Sequence, residues 1–295
     1  MPELYGSADN FIKRQLNSRL GTLEETFKAH VITFCGGLLF GVDDLIRGAV
    51  EKRCQQKPLR RKLVVILSTG GGYIEVVQRI VSTLRQHYRL VDFVVPNYAF
   101  SAGTVLVMSG DAIYMDYYSR LGPIDPQVQS QGGRDVPALG YLERYNELII
   151  KAHDHTITNA EVQLLVDGFD QAELYQYDHA RQLSIALLKD WLVKYKFKSW
   201  KITRTRKIKV TKAMKVRRAE EIAEKLNDTK RWHLHGHGIS MAVLERDVKL
   251  LIDDFGKDRE LSKKVRGYHD LLADYMTKRR TRGVIHSTEE YLEFM

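Results

Sequence analysis

Residues 63–67 are five consecutive apolar side chains (LVVIL), closed at once by STGGG at 68–72. An apolar run this short and unalternated is a strand buried on both faces, the kind found in parallel sheets covered by helices. Its neighbours repeat the pattern. Residues 30–35 (HVITFC) read as a strand, and 43–52 follow as a helix with Leu45, Ile46, Ala49 and Val50 at helical spacing. Pro58 and the cluster Arg60, Arg61 and Lys62 mark a surface loop before the apolar run. A helix over 73–86 then carries Ile74, Val77, Ile80, Val81 and Leu84 on one face, and 90–95 (LVDFVV) is a second buried strand closed by Pro96 and Asn97. A helix at 101–109 and a strand at 112–115 complete the alternation. Strand and helix joined by short turns predict right-handed βαβ units, hence an α/β fold around a parallel sheet.

Beyond this the pattern changes. Residues 121–127 (LGPIDPQ) hold two prolines and a glycine and read as a rigid loop, while 129–137 read as a mobile polar tip. Helical spacing predicts helices at 139–153, 159–167, about 170–195, a helix capped by Thr211, and helices at 240–252 and 258–278. The segment 232–239 (WHLHGHGI) reads as a loop. The organisation expected is a polar N-terminal arm over 1–29 whose short helix docks on a neighbour, a core over 30–190, and a basic belt with a helical C-terminal region over 191–295.

Hydrophobic content of 44% and charged content of 28% suit a water-soluble globular chain. The longest near-apolar stretch, 31–42, falls short of the ~20 residues that cross a bilayer, and the first residues do not resemble a signal peptide. The two cysteines, Cys35 and Cys54, form neither a disulfide framework nor a metal-ligand spacing, which leads to the expectation of a cytoplasmic, reducing setting. The net charge of +9 is unevenly held: residues 194–218 carry twelve Lys/Arg and no acid, which leaves the remainder at −3.

The chemistry is expected at the turn YAFSAGT over 98–104, between a buried strand and a buried helix. Such a turn lifts the Ser101 hydroxyl at the edge of a sheet and leaves the Ala102 amide free to donate. The plainer reading makes Ser101 a helix N-cap. The glycines at 70–72 let the backbone approach a ligand closely and aim amides at a developing oxyanion, or simply turn the chain. A dinucleotide site fits poorly. The third glycine of its fingerprint would fall at Glu75, and its acidic residue would be Asp92, inside a strand.

Three motifs in this order, TGGG at 69–72, PNYAFSAGT at 96–104 and LGPIDPQ at 121–127, resemble the serine dehydrogenase proteinase family, distant relatives of ClpP and SppA peptidases on the ClpP/crotonase fold. The resemblance spans about residues 30–128, with a weaker echo at 232–239. It implies a ClpP/crotonase-like core with a helical extension and a serine peptidase that uses no metal or other cofactor. It implies Ser101 as nucleophile, Gly70, Gly71 and Ala102 as oxyanion-hole amides, Asp125 as the acid and His235 as the base, with peptide or protein substrates and a homo-oligomeric state. Ser–His–acid chemistry depends on geometry, so this chain order is permissible. His233, His235 and His237 alternate, and His237 is the second choice for the base. Lys151 would serve in a Ser–Lys dyad, and its helix is equally read as a solvated face. The histidine run lacks the cysteine or carboxylate pair of a metal site.

Tyr195, Phe197 and Trp200 lie among the cations of the belt. Basic residues interleaved with aromatics suit a nucleic acid, ranked here below a solvated helical face whose aromatics pack on the core; an acidic substrate or a membrane surface stays open. A ClpP-like scaffold or binding module without a competent base is the alternative to an enzyme.

Overall fold

The apolar run at 63–67 lies within β2 (Lys62–Ser68), at the centre of a seven-stranded sheet. The computed structural model describes residues 8–124, 127–129, 135–203, 205–228, 232 and 238–294. From β1 (His30–Cys35) the chain steps in one direction through β2, β3 (Leu90–Val94) and β5 (Ala112–Met115), each parallel to the last. Helices α2 (Val42–Cys54), α3 (Ile74–His87) and α4 (Ala102–Met108) make the crossovers. β10 (Asp253–Asp254) extends the parallel edge beside β5. β11 (Gly283–His286) and β12 (Tyr291–Phe294) add antiparallel strands beyond β1.

The two-residue period of a strand divides β2 between two cores. Leu63, Val65 and Leu67 pack with α2, α3 and α4, whereas Val64 and Ile66 pack on the opposite face. That second face is covered by α1 (Ala8–Phe27) and α9 (Arg259–Arg279), through Leu16, Leu20, Leu23, Val265, Tyr268 and Leu272. The N-terminal helix expected to dock on a neighbour instead docks on this chain's own sheet. Its Glu24 carboxylate accepts from Arg53 Nη2 at 2.7 Å and from the Val31 amide at 3.0 Å, so a buried charge is both paired and hydrogen-bonded.

α5 (Ala138–His153), α6 (Asn159–Asp167) and α7 (Gln171–Trp191) fall close to the predicted ranges, and a capping box formed by Thr158 and Glu161 starts α6. β7 (Gln127–Gln129) and β8 (Asp135–Pro137) form a small hairpin ahead of α5. α7 runs into a π-helical turn over Leu192–Lys196, so Lys194 and Lys196 of the belt lie on a helical turn. α8 (Lys212–Leu226) begins where the Thr211 side chain caps the Met214 amide. The helix expected over 240–252 is not continuous. A helical turn at Met241–Val243 passes into a π turn at Leu244–Val248 and stops at Lys249, whose φ of 58° no right-handed helix accommodates. No helix among the described residues is long and apolar enough to cross a membrane.

Candidate active site

Ser101 stands at the start of α4 with φ 51° and ψ −123°, and its side chain makes no capping hydrogen bond. A non-glycine residue held there stores about 1–3 kcal/mol of backbone strain. A serine serving as an N-cap adopts extended dihedrals and bonds its hydroxyl to the first turn, which Ser101 does not do. Oγ is therefore not spent on capping α4. The residue is only 7% exposed, and no side chain among the described residues bonds its hydroxyl.

The glycine loop after β2 lies against it. A β-carbon on Gly71 (φ 107°) would stand 2.8 Å from Ser101 Cβ and 3.4 Å from Oγ, so only glycine permits this approach. Gly72 (φ 148°) is as restricted, because its β-carbon would meet the Leu38 carbonyl oxygen at 2.3 Å. The loop is locked from three sides. The Thr69 amide donates to the Tyr98 carbonyl (3.1 Å), the Phe100 amide to the Thr69 carbonyl (3.0 Å), and the Leu38 amide to the Gly71 carbonyl (2.9 Å). The Gly71 amide donates to the Thr69 hydroxyl at 3.1 Å. The Gly70 and Ala102 amides are bonded to no acceptor among the described residues. The Ala102 amide opens the first turn of α4, where helical amides lack an internal partner.

A second, three-stranded sheet carries the turn: β4 (Tyr98–Ala99), β6 (Arg120–Leu121) and β9 (Ile239–Ser240). Tyr98 and Ala99 pair with Arg120 and Leu121, and Leu121 pairs in turn with Ile239. Thr104 clamps the two loops leaving β4 and β6. Its hydroxyl donates to the Ala99 carbonyl at 2.7 Å and accepts from the Gly122 amide at 3.0 Å. The last turn of α8 holds two further points. The Ile124 amide donates to the Leu226 carbonyl (3.1 Å), and the Trp232 indole donates to the Lys225 carbonyl (2.7 Å).

Of the residues expected here, Ser101, Gly70, Gly71 and Ala102 come together. Asp125, His233, His235 and His237 lie outside the described residues. Their described neighbours are Ile124, Trp232 and Gly238, and Gly238 lies against the Arg120 side chain. Lys151 is engaged elsewhere, with its Nζ 2.7 Å from Glu161 Oε1 on α6. That bond and the Thr158 amide hold the Glu161 carboxyl down at about 2. A different Ser–His contact, Ser68 Oγ to His269 Nε2 at 3.2 Å, joins β2 to α9; Ser68 belongs to a regular strand without backbone strain.

Comparison with known proteins settles the family. A family model described as ClpP-like SDH-type serine proteinase matches residues 39–198, more than half of the chain. The chain belongs to that family. Two uncharacterized proteins of Methanocaldococcus jannaschii are similar to shorter stretches. One is 30% identical over 98 residues, 33% of this chain and 32% of its own length. The other is 35% identical over 71 residues, 24% of this chain and 25% of its own length. The chain thus spans a third or less of the curated relatives it matches. Among solved structures, a membrane-bound stomatin-specific protease in complex with a substrate peptide is similar at 19% identity, with a TM-score of 0.31 over 50% of this chain and 77% of that one.

Within this ClpP-like proteinase frame, sequence reasoning missed the hydroxyls of Thr69 and Thr104, which are the side chains that tie the loops together. Their positions, directly before the glycines and three residues after the serine, were the available signal. Arg266 was missed for a plainer reason. It acts from α9 on Asp116, 150 residues away in sequence, and nothing local marks it.

Proposed function

We propose that this chain is a serine peptidase that forms an acyl-enzyme at Ser101, with His235 as general base and Asp125 orienting it. The observation that carries the reading is the strained, uncapped Ser101 beside the Gly70 and Ala102 amides. In the acylation step Ser101 Oγ attacks the peptide carbonyl while His235 takes its proton. The carbonyl oxygen gains the negative charge and receives hydrogen bonds from Ala102 and Gly70, with Gly71 keeping the approach open. The C–N bond breaks as the imidazolium returns the proton to the leaving amine. Water then attacks the ester, aided by the same base, and frees Ser101.

The assignment of the base follows the family resemblance, and the engagement of other histidines supports it. His30 bonds Tyr88 and Pro58, His87 contacts Cys54, His269 contacts Ser68, and His286 bonds Tyr268 and Asn17. His153 pairs with Asp154, and His179 stacks on Tyr175, whereas His155 is exposed in the turn after α5 with no side-chain partner among the described residues. On either side of residues 233–237, Trp232 is bonded to α8 and Ile239 pairs with Leu121, which sets Ile239 two strand spacings, roughly 10 Å, from Ala99. Asp125 follows Ile124, which α8 holds. Assembly into a homo-oligomer and peptide or protein substrates belong to the same proposal.

The test is cleavage of an unfolded protein substrate by the wild type and its variants. Ser101→Ala should lower kcat at least about 10³-fold, His235→Ala comparably, and His237→Ala and Lys151→Ala less than about tenfold. Full activity of Ser101→Ala would remove the proposal. Loss in His237→Ala with activity kept in His235→Ala would move the base by two residues.

A further inference from the structure

The described cations of residues 194–218 do not form one uniform patch. Lys201, Arg206, Lys207 and Lys209 stand exposed on a β-hairpin. In it the Thr203 amide donates to the Ile208 carbonyl (3.0 Å), the Val210 amide donates to the Lys201 carbonyl (2.9 Å), and Ile202 bridges Lys209. Lys198 and Lys212 flank its base, also exposed. None of these six forms an ion pair among the described residues, and the carboxylates that follow the belt, Glu220 and Glu221, are taken by Lys189 and by Arg217 and Arg218.

The exposed charge is gathered where the local fold disfavours it. Lys212 and Lys215 occupy the first turn of α8, which carries no acid, so they face the positive end of a helix dipole that favours carboxylates. Lys215 Nζ also donates to the Lys198 carbonyl, which draws further positive charge toward the base of the hairpin. Like charges gathered this way raise the energy of the fold and are compensated from outside, by an anionic partner.

The apolar residues indicate which anionic partner. Ile202 is 59% exposed and Ile208 47% exposed on the hairpin itself. The aromatic residues that could stack on bases are turned away: Tyr195 and Phe197 pack on the main core, and the Trp200 ring sits 5.5 Å from that of Phe197. A phosphodiester backbone would neutralise the cations and leave both isoleucines in water. Ile202 shares a face of the hairpin with Lys209, and Ile208 lies on the other face, so a sheet of anionic lipid headgroups that receives the hairpin end-on would neutralise the cations and cover both isoleucines. We propose that the hairpin over 201–210 docks this chain peripherally on an anionic lipid bilayer.

The probe is co-sedimentation of the full chain with vesicles of mixed phosphatidylcholine and phosphatidylglycerol, and with vesicles of phosphatidylcholine alone. Binding is expected only to the anionic vesicles and should fall as salt rises. The double variant Lys207→Glu/Lys209→Glu should bind at least about tenfold more weakly. Ile202→Ser/Ile208→Ser should bind more weakly at the same salt, and both variants should melt no lower than the wild type and keep any hydrolytic activity. Ser101→Ala should bind as the wild type does, which separates this proposal from the catalytic one. Absence of binding to anionic vesicles, or equal binding by the charge-reversed protein, overturns it. So does tighter binding of duplex or single-stranded DNA than of vesicles through the same lysines with no effect of the isoleucine changes, which would make the hairpin a nucleic-acid face.

Discussion

A β-carbon at Gly71 would collide with Ser101, whereas one at Gly70 would meet nothing within 4 Å. The two neighbours therefore separate space from chemistry. Gly71→Ala adds both the clash and a left-handed backbone that alanine resists, and it should cost about 2 kcal/mol or more of stability and lower kcat/KM at least about 100-fold. Gly70→Ala keeps its amide and its space, and its kcat/KM should stay within about tenfold of wild type. Peptide hydrolysis and thermal melts on the two variants check the pair. The Thr69 hydroxyl, which holds the Gly71 amide, adds to the three backbone bonds that keep the loop in this shape.

Among the elements, the small β4–β6–β9 sheet depends on a contact from the opposite side of the molecule. Arg266 of α9 donates Nε to Asp116 Oδ2 at 3.0 Å, its Nη2 bonds both oxygens of that carboxylate, and its Nη1 reaches the Pro96 carbonyl at 2.6 Å. Pro96 lies just ahead of β4 and Asp116 starts the turn into β6, so one guanidinium fixes the entry to both strands. Arg266→Ala leaves a 2%-exposed carboxylate without its counter-charge and should cost about 3 kcal/mol in urea unfolding, together with activity. Arg266→Lys should recover only part of the loss, because an ammonium cannot reproduce the forked contact. Much at this scale was legible. β2, β3, α3 and the Thr211 cap follow from apolar period and turn residues. β10, β11 and β12 were not, because strands of two to four residues are too short to show a period. The interrupted helix after Ser240 escaped for another reason: Leu244, Val248 and Ile252 repeat every fourth residue, but Lys249 breaks the backbone between them.

Across the whole molecule, acid stability is set by histidines that the core holds neutral. His286 is fully buried between β1, α1 and α9, with Nδ1 2.7 Å from the Tyr268 hydroxyl and Nε2 2.6 Å from Asn17 Oδ1, and burial holds it down to about 4. His30 and His269 are lowered for the same reason. Their neutral forms are favoured in the fold, so stability is full above the ordinary value of 6.5. It falls as pH drops from there toward about 4, where the unfolded chain takes up a proton that folded His286 refuses. The slope approaches 1.4 kcal/mol for each pH unit per such group. Calorimetry should show Tm falling through that window, and His286→Phe should flatten the slope whatever its effect at neutral pH. Of the site, the sequence carried Ser101 and its amides, which share one short turn and one glycine loop. The proposed acid and base, Asp125 and His235, belong to segments distant in sequence, and only the family resemblance singled them out. The most direct measurement of the central idea is intact-mass analysis after treatment with a fluorophosphonate, with peptide mapping of the adduct. The account predicts one adduct per chain, on Ser101, and none in Ser101→Ala. An unlabelled wild type, or an adduct on another serine such as Ser68, would contradict it.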